Sequence, residues 1–252
     1  MSYLHALSLL AIAPLLAQIG IREQYNATYM DRAEQSSFDH APNAFLAQFI
    51  KTLKPGRALD VGMGQGRNTI FLAQQGWQAT GIDLSDAGVN LAREQAAKLG
   101  LKLNAIVADA RAYDFGDSQW DLIVFCYVPL MNLAGRVERG LRPGGIVLVE
   151  DFHRDTARLR LLPAGLGDNE LLQTFRGLRV LHYEDVVARQ EWGAQLVDAN
   201  RIVRLAAQKP KPAAPGCTWE SKPYAEGETV CWGPTRIACG PQRWTRSGTC
   251  PR

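Results

Sequence analysis

The sequence predicts an α/β protein built on a doubly wound, mostly parallel sheet. Three observations carry that expectation. Apolar, β-type runs alternate with helical patterns from "RALDVG" to "IVLVEDF". Two of the runs, "LNAIVADA" and "WDLIVFCYV", are almost wholly apolar, as strands covered on both faces must be. Finally, "RVLHYEDVVARQ" and "NRIVRLAAQ" follow one another through a short polar turn with no helix between them, which ends the simple alternation with a hairpin.

The elements can be justified in order. "NAFLAQFIKTL" spaces Phe45, Leu46, Phe49, Ile50 and Leu53 as one face of a helix, and "KPG" stops it. "RALDVG" is the first strand and leads into a glycine loop. "NTIFLAQQG" reads as a helix closed by Gly76, and "QATGIDL" as the second strand. In "SDAGVNLAREQAAKLG", Ser85 is an N-cap and Gly100 a C-terminal stop. "LNAIVADA" and "WDLIVFCYV" supply strands three and four. A short helix around "MNLAGRVERG", a turn at "LRPGG" and a fifth strand "IVLVEDF" precede the closing hairpin. Right-handed crossovers between parallel strands follow from this order.

Length and composition bound the rest. The chain has 252 residues, 46% hydrophobic and 21% charged, enough for one full α/β domain and something small besides. Its net charge of +3 is concentrated near the end, where residues 208–252 carry seven Lys/Arg against three Asp/Glu. The remainder is close to neutral, so the dense basic stripe of a nucleic-acid binder is missing and no nucleic-acid partner is expected. Residues 1–21 lack any Lys, Arg, Asp or Glu. "LSLLAIAPLLAQ" reads as the h-region of a signal peptide cut after Ala17, with a buried N-terminal helix as the alternative. The run is too short and too interrupted by Pro14 to read as a membrane span. Membrane or cell-surface contact through this segment or the tail is carried as an expectation.

Residues 22–207 form the expected main domain, and residues 208–216 ("QKPKPAAPG") a semi-rigid Pro-rich linker. The tail, 217–252, holds Cys217, Cys231, Cys239 and Cys250 and three of the six Trp. With gaps of 13, 7 and 10 residues it contains no C-x-x-C pair, so two disulfides are expected ahead of zinc, in any of three connectivities. Disulfides imply an oxidising compartment and a small module that needs staples. No metal site is expected.

The run "LDVGMGQGRN", Leu59 to Asn68, carries the chemistry. Gly62, Gly64 and Gly66 alternate, and Arg67 stands where a dinucleotide fingerprint would need its third glycine. There is no G-K-[ST] either. Asp60 just ahead would repel an anion and hold an amino group, so the loop is read as one that does not bind phosphate. Arg67 and Asn68 are read as structural, capping the loop or helix.

These residues resemble motif I of the class I S-adenosylmethionine-dependent methyltransferases. "GIDLS", "ADA", "WDLIVF" and "LRPGGIVLVE" stand where that family has its later motifs, over about Ala41 to Gln208. "GQGRNTIFLAQQGW" and "NELLQTFRGLRVLHYEDV" are similar to small-molecule methyltransferases of the tellurite-resistance type. The resemblance implies a seven-stranded sheet with an antiparallel last strand, and S-adenosyl-L-methionine as cofactor. It implies that Asp60 receives the methionine amino group while Gly62, Gly64 and Gly66 let the backbone pass close. Asp83, with Leu84 beside it, would take the ribose hydroxyls, Asp109 and Ala110 the adenine, and Cys126 and Tyr127 would line the sulfonium end. Cys126 is read as a small buried side chain rather than a nucleophile. Tyr127, His153 and His182 are the candidates for substrate contact or proton removal; Glu150 and Asp151 close the fifth strand and could hold a polar acceptor.

Two functions follow. The first is methyl transfer to a small-molecule acceptor. The second is an exported or envelope-attached binding protein that keeps the fold without turnover, its Trp-rich tail contacting a surface polymer. The cofactor argues for the cytoplasm, the N-terminus and tail cysteines for export.

Overall fold

The computed structural model describes residues 20–31, 41–130, 132–159, 165–189, 200–211, 216–219, 222–232, 235–240 and 244–249. The chain divides between Pro210 and Lys211 into two compact units. Residues 1–19, on which the signal-peptide reading rests, lie outside the described residues. Among the described residues no helix is long and apolar enough to cross a membrane.

In the first unit, residues 20–30 form helix α1. Helix α2 (Ala44–Phe49) runs into a 3-10 turn at Ile50–Thr52. There follow β1 (Arg57–Val61), α3 (Arg67–Gln74), β2 (Gln78–Asp83), α4 (Asp86–Lys98), β3 (Asn104–Val107) and β4 (Trp120–Cys126). Then come α5 (Ala134–Gly140), β5 (Leu141–Phe152), α6 (Arg154–Leu159), α7 (Glu170–Thr174), β6 (Arg179–Ala188) and β7 (Asn200–Gln208). The seven strands form one sheet in the order β3-β2-β1-β4-β5-β7-β6. Strands β1 to β5 pair in parallel, and β7 runs antiparallel to both β5 and β6.

The alternation of side chains sorts the core into two layers. Leu59, Val61, Ile123, Phe125, Val147 and Val149 face one way; Ala58, Leu122, Val124, Ile146 and Leu148 face the other. All of these are buried, and each full-sized apolar side chain so covered contributes about 1.5–3 kcal/mol. Helix α4 starts as expected: the Ser85 hydroxyl accepts the Gly88 N–H at 3.0 Å, Asp86 lies in the first turn and Lys98 in the last. Gly76 and Gly100 follow their helices with φ of +84° and +66°.

The structure departs from the sequence reading in three places. "LRPGG" is not a free turn but the start of β5, because the Gly144 N–H bonds to Lys209 O and the Lys209 N–H to Gly145 O, both at 2.8 Å. The third strand ends at Val107, so "ADA" lies past it; the Asp109 carbonyl instead closes turns with the Ala112 and Tyr113 N–H groups. Helices α6 and α7 roof the end of the sheet without a long periodic pattern to announce them. The connection expected to be a polar turn between β6 and β7, residues 190–199, lies outside the described residues.

The second unit is all strand. β8 (Gly216–Trp219) pairs with β9 (Lys222–Ala225), and β10 (Thr229–Trp232), β11 (Thr235–Cys239) and β12 (Trp244–Thr249) make a three-stranded antiparallel sheet. The Trp219 ring meets Trp232 and Trp244 edge-on at 6.0 and 5.9 Å, and Tyr224 meets Trp244 at 5.4 Å. Cys231 and Cys239 are disulfide-bonded, whereas Cys126 of the first unit is a buried thiol outside any disulfide. Which tail cysteines are joined to which lies outside the described residues.

Candidate active site

The carboxyl ends of β1, β2 and β4 bring most of the sequence-selected residues together, at the edge where open α/β sheets bind ligands. Asp60, one residue before the end of β1, has 1% of its surface exposed. The Thr69 hydroxyl donates to its Oδ2 at 2.6 Å, and burial pushes its carboxyl up to about 6 against the opposing pull of that bond and of the Arg67 charge.

The loop that follows is anchored by its backbone, with the Gly62 and Met63 N–H groups both bonding to Ile82 O at 2.8 and 3.0 Å. Gly62 and Gly64 adopt φ of +72° and +53°. A Cβ at Gly62 would lie 2.2 Å from Val128 Cγ2, and one at Gly64 2.3 Å from the Tyr29 hydroxyl. The loop is therefore closed on one side by the segment after β4 and on another by helix α1. Gly66 begins α3 in the left-handed region, with no side-chain cap.

Asp83 ends β2 and grips both neighbouring segments. Its carboxylate accepts the Gly64 N–H and the Ser85 N–H, each at 2.8 Å, while burial raises its proton affinity. Leu84 beside it is half-buried. Asp109 is less available than the sequence implied, because Arg111 already binds it through Nε and Nη2, at 3.0 and 2.7 Å, and holds its carboxyl below the usual range. An adenine amine would share that carboxylate with Arg111. The Ala110 carbonyl faces Arg136 Nη1 at 3.5 Å.

Cys126, 8% exposed, is the last residue of β4. Tyr127 follows in the left-handed region, with φ of +59°, a conformation rarely held by a bulky residue without support. Its N–H bonds to Glu150 O at 2.8 Å and its hydroxyl to Glu150 Oε1 at 2.5 Å. Glu150 has no exposure and also accepts from Asn43 Nδ2 and Arg204 Nε, both at 2.6 Å. Asp151, on the opposite face of β5, takes the Phe152 N–H; burial, with the Glu150 charge adding to it, pushes its carboxyl up to about 7.

The two histidines separate. His153 stands at the end of β5, 3% exposed, where its Nδ1 accepts the Asp155 N–H at 3.2 Å and its Nε2 lies 3.3 Å from Asp168. His182 does not join the site. It pairs in register with Ala206 in the middle of β6 and packs on Phe45 at 5.1 Å, with Nε2 3.1 Å from Glu184. Its row runs through Ala206, Leu148 and Val124 to Asp60, four strand spacings away, or about 19 Å.

His153, Asp168 and Asp185 bring three ligand-type atoms within 4.8 Å of one another. Arg201 supplies the positive charge there, reaching Asp168 and Asp185 at 2.7 Å and Asp155 at 3.0 Å.

Sequence reasoning missed Tyr29, Asn43 and Arg204. Asn43 had a signal: it stands before a helical apolar run, and it caps α2 by accepting the Leu46 N–H at 2.9 Å. Tyr29 and Arg204 reach the site only through tertiary contacts and carry no local signal.

The strand order, the buried carboxylate ahead of an alternating glycine loop and the second carboxylate on β2 define a class of protein. Residues 58–145 match the methyltransferase domain family. Over that segment the chain is similar to the S-adenosylmethionine-dependent methyltransferases. Within the class the fold is similar to TehB from Haemophilus influenzae, with a TM-score of 0.59 at 19% identity, covering 66% of this chain and 62% of that one. In sequence the chain is 26% identical over 186 residues to Hemagglutinin 1 of Eikenella corrodens, covering 70% of this chain and 61% of that protein. It is 33% identical over 109 residues to Phosphoethanolamine N-methyltransferase 3 of Arabidopsis thaliana, covering 40% of this chain and 22% of that protein. The chain thus spans between about a fifth and three-fifths of the length of these two relatives.

Proposed function

We propose that this chain transfers a methyl group from S-adenosylmethionine to a small-molecule acceptor. The observation that carries the reading is the pair of carboxylates, Asp60 and Asp83, set on either side of a glycine loop at the ends of adjacent parallel strands. The residues suit the cofactor. Asp60, buried and bonded by the hydroxyl and backbone N–H of Thr69, offers its charge to the ammonium of the methionine end. Asp83 offers acceptor oxygens to a ribose diol. Gly62 and Gly64 hold the loop in left-handed turns that a side chain would rarely adopt, packed against Val128 and Tyr29. Asp109 and Ala110 suit the adenine edge, and Leu84 and Cys126 line the walls.

The cofactor, when bound, supplies an electrophilic methyl on a good leaving group. The chain's work is then orientation and exclusion of water. Tyr127 does the first: held by Glu150, it fixes the floor between β4 and β5, with Phe152 4.9 Å from its ring. His153 and Asp151 stand at the same edge, one strand further from the glycine loop, as groups able to receive an acceptor proton. The near-neutral charge of the first 207 residues supports a small acceptor over a nucleic acid.

We further propose residues 22–207 as the methyltransferase domain, extended through Gln208 and Lys209 by their pairing with the start of β5, a linker between Pro210 and Gly216, and 217–252 as a disulfide-stapled module. The disulfide state of Cys231 and Cys239 supports that last assignment and an oxidising compartment for the tail.

Isothermal titration of the full chain with S-adenosylhomocysteine, with NAD as control, tests the function. Saturable heat with the first ligand and none with the second is expected. No heat with S-adenosylhomocysteine would overturn the reading.

A further inference from the structure

Helix α1 lies outside the strand-helix alternation, yet it is fastened to the ligand edge of the sheet. The Asn26 amide donates to Asp86 Oδ1 at 2.7 Å, and its Oδ1 accepts from the Ser85 hydroxyl at 2.6 Å and the Ala87 N–H at 3.3 Å. Arg22 forks onto the same Asp86 oxygen at 3.0 and 2.9 Å. These ties set Tyr29 on the glycine loop. Its hydroxyl lies 2.3 Å from where a Cβ on Gly64 would stand, and its ring 3.1 Å from the same point on Gly88.

Gly88 is the telling position. It sits in the first turn of a 13-residue helix, where glycine costs about 1 kcal/mol relative to alanine. The ring of Tyr29 gives that glycine a reason, and Gly64 makes room for the other end of the same side chain. Two glycines from different segments therefore accommodate one phenol beside Asp60 and Asp83. Burial first, then the Asp83 charge and more weakly that of Asp60, raise the proton affinity of the phenol.

The charges around it say what it can donate to. The methionine end of the cofactor is zwitterionic. Its ammonium has Asp60, but its carboxylate must sit near Asp60 and Asp83 and needs donors to offset them. The Gly64 N–H is already given to Asp83. On the reading proposed above, we infer that Tyr29 is a cofactor-positioning residue: its hydroxyl binds the cofactor's carboxylate, and helix α1, latched through Asn26 and Arg22, holds the bound cofactor in place.

The test uses the full chain as wild type, Tyr29→Phe and Asn26→Ala. Each is titrated with S-adenosylhomocysteine and with methylthioadenosine, which has the nucleoside and sulfur but no amino-acid end; dissociation is followed by stopped flow. Tyr29→Phe should weaken S-adenosylhomocysteine about tenfold, as loss of one charge-assisted hydrogen bond implies, and leave methylthioadenosine unchanged. Asn26→Ala should speed S-adenosylhomocysteine release several-fold. Equal weakening of both ligands by Tyr29→Phe, or of neither, would overturn the inference while leaving the methyltransferase reading intact. A folded wild type that binds neither ligand would overturn both.

Discussion

The hydroxyl of Tyr127 lies 2.5 Å from the carboxylate of Glu150, which is wholly buried and also bound to Arg204 and Asn43. Strand β4, strand β7 and the start of α2 thus meet on one charge. Removing that charge leaves Arg204 with Glu184, at 3.0 Å, as its remaining carboxylate among the described residues. Glu150→Gln should destabilise the protein by about 3–5 kcal/mol. Tyr127→Phe should cost only about 1 kcal/mol, because two other donors remain. Urea unfolding measures both; a Glu150→Gln loss below 1 kcal/mol would mean the network is not a buried ion pair.

Asp60 stores an instability. Its carboxyl titrates at about 6 in the folded chain against an ordinary 3.8, so the folded state favours its protonated form. From this group stability is greatest below pH 3.8 and declines as pH rises through 6, by at most about 3 kcal/mol. Asp60→Asn should therefore stabilise the ligand-free protein at pH 8 by about 1–3 kcal/mol and change little near pH 4. Unfolding curves at the two pH values check the sign; destabilisation at pH 8 would refute the account.

The same titration sets cofactor affinity. A protonated Asp60 cannot pair with an ammonium, so binding of S-adenosylhomocysteine should fall as pH drops below about 6, by up to about tenfold per unit. Wild type should show this slope in calorimetric titrations and Asp60→Asn should not.

Gly62 tests the loop itself. Gly62→Ala puts a methyl 2.2 Å from Val128 Cγ2 at a φ of +72°, so the segment after β4 must move. S-adenosylhomocysteine affinity should drop at least about tenfold, with a stability loss of about 1–3 kcal/mol. Unchanged affinity would show that the segment after β4 does not shape the site.

Thiol counting tests the tail. The denatured, unreduced chain should show one reactive thiol, Cys126, and the reduced chain all five. Five thiols without reduction would remove the stapled module.

The local chemistry of the site was legible before its surroundings were. Asp60, the three glycines, Asp83 and Ser85 lie within a short span, and their roles follow from strand, loop and cap rules that need no tertiary information. His182 failed because its distance from Asp60 depends on strand order: β6 is the outermost strand although β7 follows it in sequence. Asn43 and Glu150 meet across 107 residues, and Arg204 and Glu150 across 54, so no local pattern could join them. "LRPGG" misled for a related reason. Its Pro and Gly spell a turn, but the backbone beside it belongs to the end of β7, which only the folded sheet brings there.

Helix α3 begins at Gly66 with no side chain to cap it, although a Ser, Thr or Asp in that place is commonly worth about 1 kcal/mol. A Cβ there would fall 2.7 Å from that of Ala92, so the fold has no room for one. Together with Asp60, this makes the cofactor-free chain less durable than its core would allow. A ligand at a hundredfold excess over its dissociation constant adds about 2.7 kcal/mol by mass action. The melting temperature, and with it the survival of the protein against proteolysis, should then rise and fall with supply of the proposed ligand.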